Sequence, residues 1–374
     1  MYNKFTGQIS PILRSCCKKQ YYKEEVGMKT NFSKRISLFL AMLMIFALLT
    51  GCGSETVKDG NSDTTNTETP GSETKKMILG ITVPAIDADG FKVNVESAAI
   101  VAKERNVEFI SFSAQNSVEK QVSQIEDMIA QGVSAIIINP TDANALGVAI
   151  EKANAANIPI VAMDGNISGG KIACLVESDN VAHGMAAADL MAEAAKKAGI
   201  PLDQLKVLEL LGDQATTSGL ERHEGFEARA KELGIEIVVS LPTMWQNDKA
   251  YAATLDAFQA NDGINAIFEA SDIAMHSGVE AALTQINKLL PAGEDGHIII
   301  TAVDGGPKGM EAIRNKYIDG IATQQLIMMG KKSAEIAIDA AEGKPVAESV
   351  VRLLPDLTFF ENVDSKDHWA NQLK

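Results

Sequence analysis

The chain has 374 residues, with 34 Lys or Arg against 49 Asp or Glu, which gives a formal net charge of −15. A surface this acidic repels phosphate backbones and argues against nucleic-acid binding. The five histidines are scattered, and no Cys/His spacing is typical of a zinc site, so we expect no metal.

Residues 28–51 have the features of a secretory signal peptide in the correct order. A basic stretch, 28–35, precedes an unbroken apolar run, 36–49, which is short for a membrane span and typical of a signal core. The following Leu-Thr-Gly-Cys, ending at Cys52, resembles a bacterial lipobox, which implies cleavage before Cys52 and diacylation of its thiol. The alternative is a short anchor that ends at a cysteine by chance. We expect residues 1–27 to be a mis-assigned upstream extension and Met28 to be the true start.

Residues 52–76 form a polar segment that begins with the lipidation site. It is rich in Ser, Thr and Gly and nearly free of apolar residues, so it predicts a flexible tether between a membrane and a folded domain. After processing, Cys174 is the other remaining thiol, and it lies within an apolar run. We therefore expect a core cysteine and no disulfide framework.

From residue 77 onward, strand and helix patterns alternate in two successive series, which predicts an α/β fold with doubly wound parallel sheets. The predicted strands are 77–83, 107–113, 135–138, 158–164 and 172–176, followed by 206–211, 236–242, 266–268, 297–302 and 320–324. Predicted helices between them include 118–131, 145–155, 181–198, 248–261 and 307–315. Two such halves predict two lobes with a cleft between them.

Residues 135–165 form one strand–helix–strand unit in which polar groups follow both strands, where open α/β sheets bind ligands. Its sequence, IIINPTDANAL followed by ANIPIVAMD, resembles that of the sugar-binding proteins of the ribose and galactose type that serve ABC transporters. The resemblance extends from residue 77 to the C-terminus and implies a type I periplasmic binding protein fold. It also implies three crossings between lobes, near residues 178, 324 and 355. The expected lobes are therefore 77–178 plus 325–354, and 179–324 plus 355–374.

Enzyme signatures are absent from the sequence. Residues 330–333 (GKKS) look like half a phosphate-binding loop, but Gln325 occupies the position of the required upstream glycine. Neither a G-x-S-x-G elbow nor an H-E-x-x-H motif occurs. We expect a binding protein without a cofactor, although an enzyme acting on sugars stays open.

Polar and aromatic residues at the ends of predicted strands form the candidate site. Sugar hydroxyls require charged acceptors and bidentate donors, and sugar C–H faces pack against aromatic rings. Taken singly, each residue has a structural alternative, because Asp, Ser and Gln commonly cap helices and Phe is usually a core residue. The candidates are Asp89, Phe91, Asp164, Trp245, Ser271, Asp272, Asp304 and Gln324.

The resemblance assigns roles to several of these positions. In galactose- and glucose-type binders, an Asp-x-Phe after the first strand supplies a hydroxyl acceptor and a stacking ring, and Asp89 and Phe91 match it. The sugar-contacting arginine of the R-x-x-G-F motif corresponds to Arg222, and the aromatic residue of the galactose type corresponds to Trp245.

Two positions depart from the ribose-type pattern. Asp164 matches the Asp that ends the fourth strand of ribose binders, but Gly165 stands where those proteins have Arg. Ser271, followed by Asp272, stands where they have Asn. Asp304 and Gln324 match the last two contacts. A pyranose is therefore favoured over a ribofuranose.

The resulting expectation is a monomeric, lipid-anchored extracytoplasmic receptor that delivers a monosaccharide or polyol to ABC permease subunits. The calcium loop of the galactose type has no counterpart around residues 198–205, so again no metal is expected. A sensory receptor that presents its ligand to a chemoreceptor or a histidine kinase is the alternative. A repressor of the lactose type shares the fold but requires a DNA-binding motif where this chain has a signal sequence.

Overall fold

The computed structural model describes residues 76–373. The predicted upstream extension, the signal peptide and the lipidation site Cys52 lie outside the described residues, as does most of the linker. In chain order the elements are β1 (Ile78–Val83), α1 (Asp89–Glu104), β2 (Glu108–Ser113), α2 (Val118–Gln131), β3 (Ala135–Ile138), α3 (Gly147–Ala155), β4 (Ile160–Met163), β5 (Cys174–Ser178), α4 (Asn180–Ala198), β6 (Lys206–Leu211), α5 (Thr217–Leu233), β7 (Glu236–Pro242), α6 (Asn247–Ala260), β8 (Ala266–Glu269), α7 (Asp272–Gln285), β9 (Ile299–Asp304), α8 (Pro307–Arg314), β10 (Gly320–Thr323), α9 (Leu326–Ala341), β11 (Val350–Leu353) and β12 (Asp356–Thr358). Short 3₁₀ helices occur at Leu202–Gln204 and Trp369–Gln372.

The first lobe is built on a parallel sheet of order β11-β5-β4-β3-β1-β2. Strands β3 and β4 are buried along their whole length, which explains their unbroken apolar sequences. Apolar residues of α1 and α9 pack with the strands into one cluster, and those of α2 and α3 pack with them into another. The helices thus cover both faces of the sheet.

The second lobe repeats this plan with a sheet of order β12-β10-β9-β8-β6-β7. Its strands are parallel except for β12, which is antiparallel to β10. One continuous apolar cluster fills this lobe, and within it the rings of Phe226 and Phe268 stack at 4.0 Å between centroids.

The chain passes between the two sheets at three places. It leaves the first sheet after Ser178 and returns after Thr323 to form α9 and β11, which pairs with β5. It then crosses back to form β12. The two parallel-sheet lobes predicted from the sequence are confirmed.

Several predicted element boundaries were wrong for local reasons. Strand β4 begins at Ile160 and not at residue 158, because the N–H of Ile158 closes the preceding helix on Ala153 (3.0 Å) and Pro159 has no N–H. It ends before Asp164, whose φ of 65° turns the backbone out of the strand. Strand β9 begins at Ile299 and not at residue 297, because the backbone N–H of His297 bonds to the carbonyl of Glu294 at 3.2 Å and not to a neighbouring strand.

Strands β11 and β12 were not predicted. They are short edge strands with mixed burial, so they lack the apolar runs of the central strands. Within residues 76–373, no helix has the length and apolarity that a membrane span requires.

Candidate ligand-binding site

A buried guanidinium forms the centre of the site in the second lobe. Arg222 of α5 is 5% exposed, and its Nη1 lies 2.8 Å from Oδ1 of Asp304 at the end of β9. Nη1 also donates to the carbonyl of Ala270 at 2.8 Å, and Nε donates to Oδ1 of Asn180 at 3.1 Å. Arg222 is therefore held in one orientation by charge-assisted hydrogen bonds.

The glycines of α4 and α5 explain how Arg222 reaches this position. A Cβ at Gly225 would lie 2.1 Å from the carbonyl oxygen of Val181, and one at Gly184 would lie 2.1 Å from that of Arg222. The two helices therefore touch backbone to backbone beside the site. In the R-x-x-G-F motif, the glycine permits this contact and Phe226 anchors α5 by stacking on the ring of Phe268.

Asp304 is the acceptor at the centre of the same network. The Ser271 hydroxyl donates to its Oδ2, and Gln324 Nε2 donates to its Oδ1 at 2.6 Å. Gln324 Oε1 in turn accepts from the Ser178 hydroxyl at 2.8 Å. Because Ser178 and Gln324 lie at the first two crossings, the network joins the site to the segments that connect the lobes.

Asp164 brings a carboxylate from the first lobe toward this centre. Its side chain is accessible to water, but protein surrounds it on several sides, and this burial raises its pKa above the ordinary value. The positive charge of Arg222 opposes the increase in pKa, whereas the negative charge of Asp304 adds to it. Asp164 therefore lies within electrostatic range of two second-lobe groups, across the cleft predicted between the lobes.

Asn139, at the end of β3, is a site residue that the sequence reasoning missed. It is 4% exposed and lies close enough to Asp164 to lower the pKa of that carboxyl. Its backbone carbonyl accepts from Gln121 Nε2 at 2.8 Å, whereas its Nδ2 has no close acceptor among residues 76–373, so its hydrogen bond to Asp164 is a weak one. A buried amide donor without a close acceptor is only partly satisfied, so it is available to a ligand acceptor. Its position immediately after a buried strand was the signal that could have identified it.

Trp245 supplies the aromatic surface of the second lobe. Its φ is 58°, in the loop after β7, and its ring is half-buried. A Cβ at Gly212 would lie 2.0 Å from Trp245 Cη2, so the ring lies directly on the backbone of that glycine. The Arg222 Cζ is 5.8 Å from the ring centroid, which places the aromatic and charged parts of the site side by side.

Asp272 differs from the other candidates because its carboxylate is buried and bonds to the protein backbone. It is completely buried, and its two carboxylate oxygens accept from the backbone N–H groups of Gly305 (2.7 Å) and Gly306 (2.8 Å). Burial raises its pKa well above the ordinary value. Asp272 therefore supports the loop that follows Asp304.

Asp89 and Phe91 lie in the first turn of α1. Asp89 is exposed, and in the described part of the chain no hydrogen bond or ion pair joins it to the other candidates. Phe91 is half-buried against the core of the first lobe. The structure thus brings six candidates together: Asp164, Arg222, Trp245, Ser271, Asp304 and Gln324.

His183 is a buried neighbour of this network that was not predicted. Its Nδ1–H donates to the carbonyl of Asp179 at 2.7 Å, and its Nε2 makes no hydrogen bond within the part of the chain that the structure describes. Burial lowers the pKa of His183 from 6.5 to about 4, and the positive charge of Arg222 adds to this effect. At neutral pH the ring is therefore uncharged.

Across residues 76–373, no group of three or more His, Cys, Asp or Glu side chains is arranged to hold a metal ion. Chemically, the arrangement offers one guanidinium, carboxylates on both lobes, primary amides and an aromatic face. These are groups that bind a neutral polyhydroxylated molecule.

Comparisons with known proteins agree with the fold. Residues 79–345 match the family model described as periplasmic binding protein domain. The ribose import binding protein of Bacillus subtilis (strain 168) is 30% identical over 85% of this chain and 96% of its own length. A xylitol-binding protein of Mycolicibacterium smegmatis is 26% identical over 89% of this chain and 88% of its own length. The solved structure of an ABC transporter solute binding protein from Bacillus halodurans C-125 with bound myo-inositol has a TM-score of 0.65 and 23% identity, covering 78% of this chain and 98% of that one.

Proposed function

This chain belongs to the family of proteins with a periplasmic binding protein domain, and we propose that it is a lipid-anchored extracytoplasmic receptor that delivers a monosaccharide or polyol to an ABC importer. Relatives named for ribose import and for xylitol binding support this ligand class. In this proposal the chain is not an enzyme, and purified protein leaves its ligand chemically unchanged.

The pairing of Arg222 with Asp304 carries the proposal. The buried guanidinium supplies fixed N–H donors, the carboxylate supplies acceptors, and Gln324 and Ser271 hold that carboxylate in place. A sugar hydroxyl both donates and accepts, so it fits beside such a pair.

Ligand binding in this proposal closes the cleft. The contacts come from the second lobe (Arg222, Trp245, Asp304) and from the first lobe (Asp164, Asn139). A ligand that touches both sets binds the closed form more tightly than the open form and shifts the population toward it. The closed form is then the one that the permease recognises.

We infer a hexopyranose-like ligand from the space beside Asp164. A Cβ at Gly165 would lie 2.9 Å from Pro140 Cγ, so a glycine suits this position and no long side chain projects from it. Ser271 is shorter than the Asn of ribose binders. Both departures leave room for a six-membered ring, for which Asp89 would provide an acceptor, Phe91 a stacking face, and Trp245 a second stacking face.

A thermal-shift and calorimetric screen tests the ligand class. Purified protein is titrated with D-glucose, D-galactose, D-ribose, xylitol and myo-inositol, since a ligand bound by the folded state alone raises its melting temperature. We expect a hexose or a cyclic polyol to give the largest shift. Stabilisation by D-ribose alone would refute the pyranose preference, and no shift with any of the five would refute the ligand class.

A matched pair of substitutions on one helix tests the site. Arg222→Gln removes the guanidinium that faces Asp304, whereas Arg229→Gln, farther along α5, removes one that pairs with Asp189 (2.8 Å) and Glu232 (2.6 Å). We expect Arg222→Gln to weaken binding by about 2 kcal/mol, because it removes the charged N–H donors that the ligand hydroxyls would bind. Arg229→Gln is expected to leave affinity unchanged. Equal affinities for both variants would contradict the proposed site.

The lipid anchor is tested separately. Cys52→Ala removes the proposed lipidation thiol, so we expect the variant to lose acyl label and to appear in the soluble fraction or to accumulate unprocessed. A variant that fractionates with membranes and carries the same label as the unaltered chain would contradict the anchor. Uptake of a labelled ligand in the native host distinguishes transport from sensing, because a purely sensory receptor leaves uptake unchanged when it is deleted.

A further inference from the structure

Asp304 has a backbone conformation that needs support. Its φ is 101°, in the left-handed half of the map that disfavours residues with a Cβ. Such a conformation persists where surrounding contacts over-determine it, and it is often found at functional sites. The side-chain contacts of Asp304 fix its carboxylate, whereas its backbone is held by pairing with β10 and by groups outside the sheet.

Two buried side chains hold the peptide groups that follow this strained residue. Asp272 accepts from the N–H groups of Gly305 and Gly306, which fixes the chain after Asp304. The carbonyl of Asp304 accepts two hydrogen bonds, one from the backbone N–H of Gln324 at 3.1 Å and one from the indole Nε1–H of Trp369 at 3.1 Å. Trp369 is 1% exposed, so this hydrogen bond is shielded from water.

The position of Trp369 joins the two lobes. It begins the C-terminal 3₁₀ helix, and its ring belongs to the apolar cluster of the first lobe, together with Leu326 and Met329 of α9. The next residue, Ala370, packs against the clusters of both lobes. The segment is also tied to the second lobe, because Arg314 Nη2 donates to Asn371 Oδ1 at 2.8 Å.

We propose that Trp369 is a positioning residue for ligand binding, which holds the carbonyl of Asp304 and thereby the orientation of its carboxylate while it packs on the first lobe. This inference rests on the proposed function in that Asp304 is taken as a ligand contact. Because the indole contacts the first lobe and the strained residue of the second, the geometry of the site depends on how the lobes are arranged.

The test compares Trp369→Phe with Val363→Ala. The first variant keeps an aromatic ring but removes the N–H donor. The second destabilises the same C-terminal segment at a core position of the second lobe (2% exposed). Hydrogen–deuterium exchange without ligand is measured on peptides covering residues 304–306. We expect Trp369→Phe to increase exchange there, relative to the rest of the second lobe, whereas Val363→Ala changes it no more than elsewhere.

Binding provides the second readout. For the member of the five-compound panel that binds the unaltered protein, we expect Trp369→Phe to bind roughly fivefold more weakly, because the less firmly oriented Asp304 carboxylate makes a weaker hydrogen bond to the ligand. Affinity within twofold for Val363→Ala would separate positioning from loss of stability. If the unaltered protein binds none of the panel, the proposed function fails, and the exchange measurement still judges the role of Trp369.

Exchange of the Trp369 indole N–H tests the proposal in a protein that keeps Trp369, so the test does not depend on the folding of Trp369→Phe. Trp245→Phe leaves Trp369 as the single tryptophan of the chain, which contains two. Its indole N–H should then exchange far more slowly than a solvent-exposed indole. Rapid exchange of that proton, or unchanged exchange at residues 304–306 in Trp369→Phe, would overturn the proposal.

Discussion

The buried imidazole of His183 leads to a specific prediction for the pH dependence of stability. Its pKa is about 4 in the folded protein, against an ordinary value of 6.5, mainly because burial disfavours the charged ring. Between these two values the unfolded chain binds a proton that the folded chain excludes. Stability from this group is therefore complete above pH 6.5 and is lost as the pH falls toward 4.

The size of the effect follows from the interval between the two pKa values. At about 1.4 kcal/mol per pH unit, the interval from 6.5 to about 4 amounts to about 3 kcal/mol of unfolding free energy. By pH 5, about 2 kcal/mol of this has been lost. The charges that face His183 are Arg222, Asp304 and Asp179, of which Arg222 favours the neutral ring.

His183→Asn isolates this contribution. The Asn amide can still donate to the carbonyl of Asp179 but does not titrate. Urea denaturation of both proteins is measured from pH 7.5 to 5. We expect the stability advantage of the unaltered protein over the variant to shrink by about 2 kcal/mol between pH 7 and pH 5. If the free energies of unfolding of the two proteins change in parallel over this pH range, the folded protein protonates His183 as readily as the unfolded chain does, and the reasoning is refuted.

Further predictions concern the core, the helix contact and the cleft. Burial alone would lower the pKa of His276, but the charge of Glu269 and its hydrogen bond outweigh burial and raise the pKa. The protonated ring therefore stabilises the fold below pH 6.5, and this stabilisation is lost as the pH rises through the folded-state pKa. His276→Gln should therefore show the opposite pH trend to His183→Asn in the same denaturation assay. Gly225→Ala should lower unfolding free energy by about 1–3 kcal/mol in urea, because its methyl group would collide with the Val181 carbonyl; a neutral effect would contradict the close helix contact. Asp164→Asn should raise the melting temperature of the ligand-free protein at pH 7, because burial raises the pKa of this carboxyl and its ionised form at pH 7 disfavours the fold. Calorimetry should show that the same variant binds ligand more weakly. A variant less stable than the unaltered protein would contradict this reasoning.

The sequence predicts the fold well because its central strands are buried on both faces. The run at β3 could be read as a strand because every residue is apolar and the Asn-Pro that follows it ends the pattern. The edge strand β12 has no such run, and its antiparallel pairing with β10 depends on a crossing that only tertiary structure defines. The local sequence pattern therefore predicts the central strands of each sheet but not the edge strands.

The candidate site could be predicted only in part from the sequence, for a related reason. Polar residues that end strands, such as Asp164 and Asp304, are recognisable because the ends of parallel strands share one edge of the sheet. Asn180 and Trp369 meet the site through contacts that span 42 and 65 residues of sequence. No local motif marks such partners. The backbone role of Asp272 was equally invisible, because a carboxylate that binds a ligand and one that binds amide N–H groups look alike in sequence.

The distribution of satisfied and unsatisfied polar groups suggests how binding and closure are linked. On the second lobe, Arg222 and Asp304 already bond to each other and to neighbouring groups, so they form a rigid platform whose geometry a ligand does not need to organise. On the first lobe, the buried Asn139 amide has no close acceptor among residues 76–373, and its weak hydrogen bond to Asp164 offsets only part of the increase in the pKa of that carboxyl. A ligand hydroxyl that accepts from Asn139 and donates to Asp164 therefore relieves a cost that the ligand-free protein bears. A ligand that also rests on Arg222 and Asp304 gains the contacts of the second lobe as well, so the largest gain in free energy is available only when both lobes contact it.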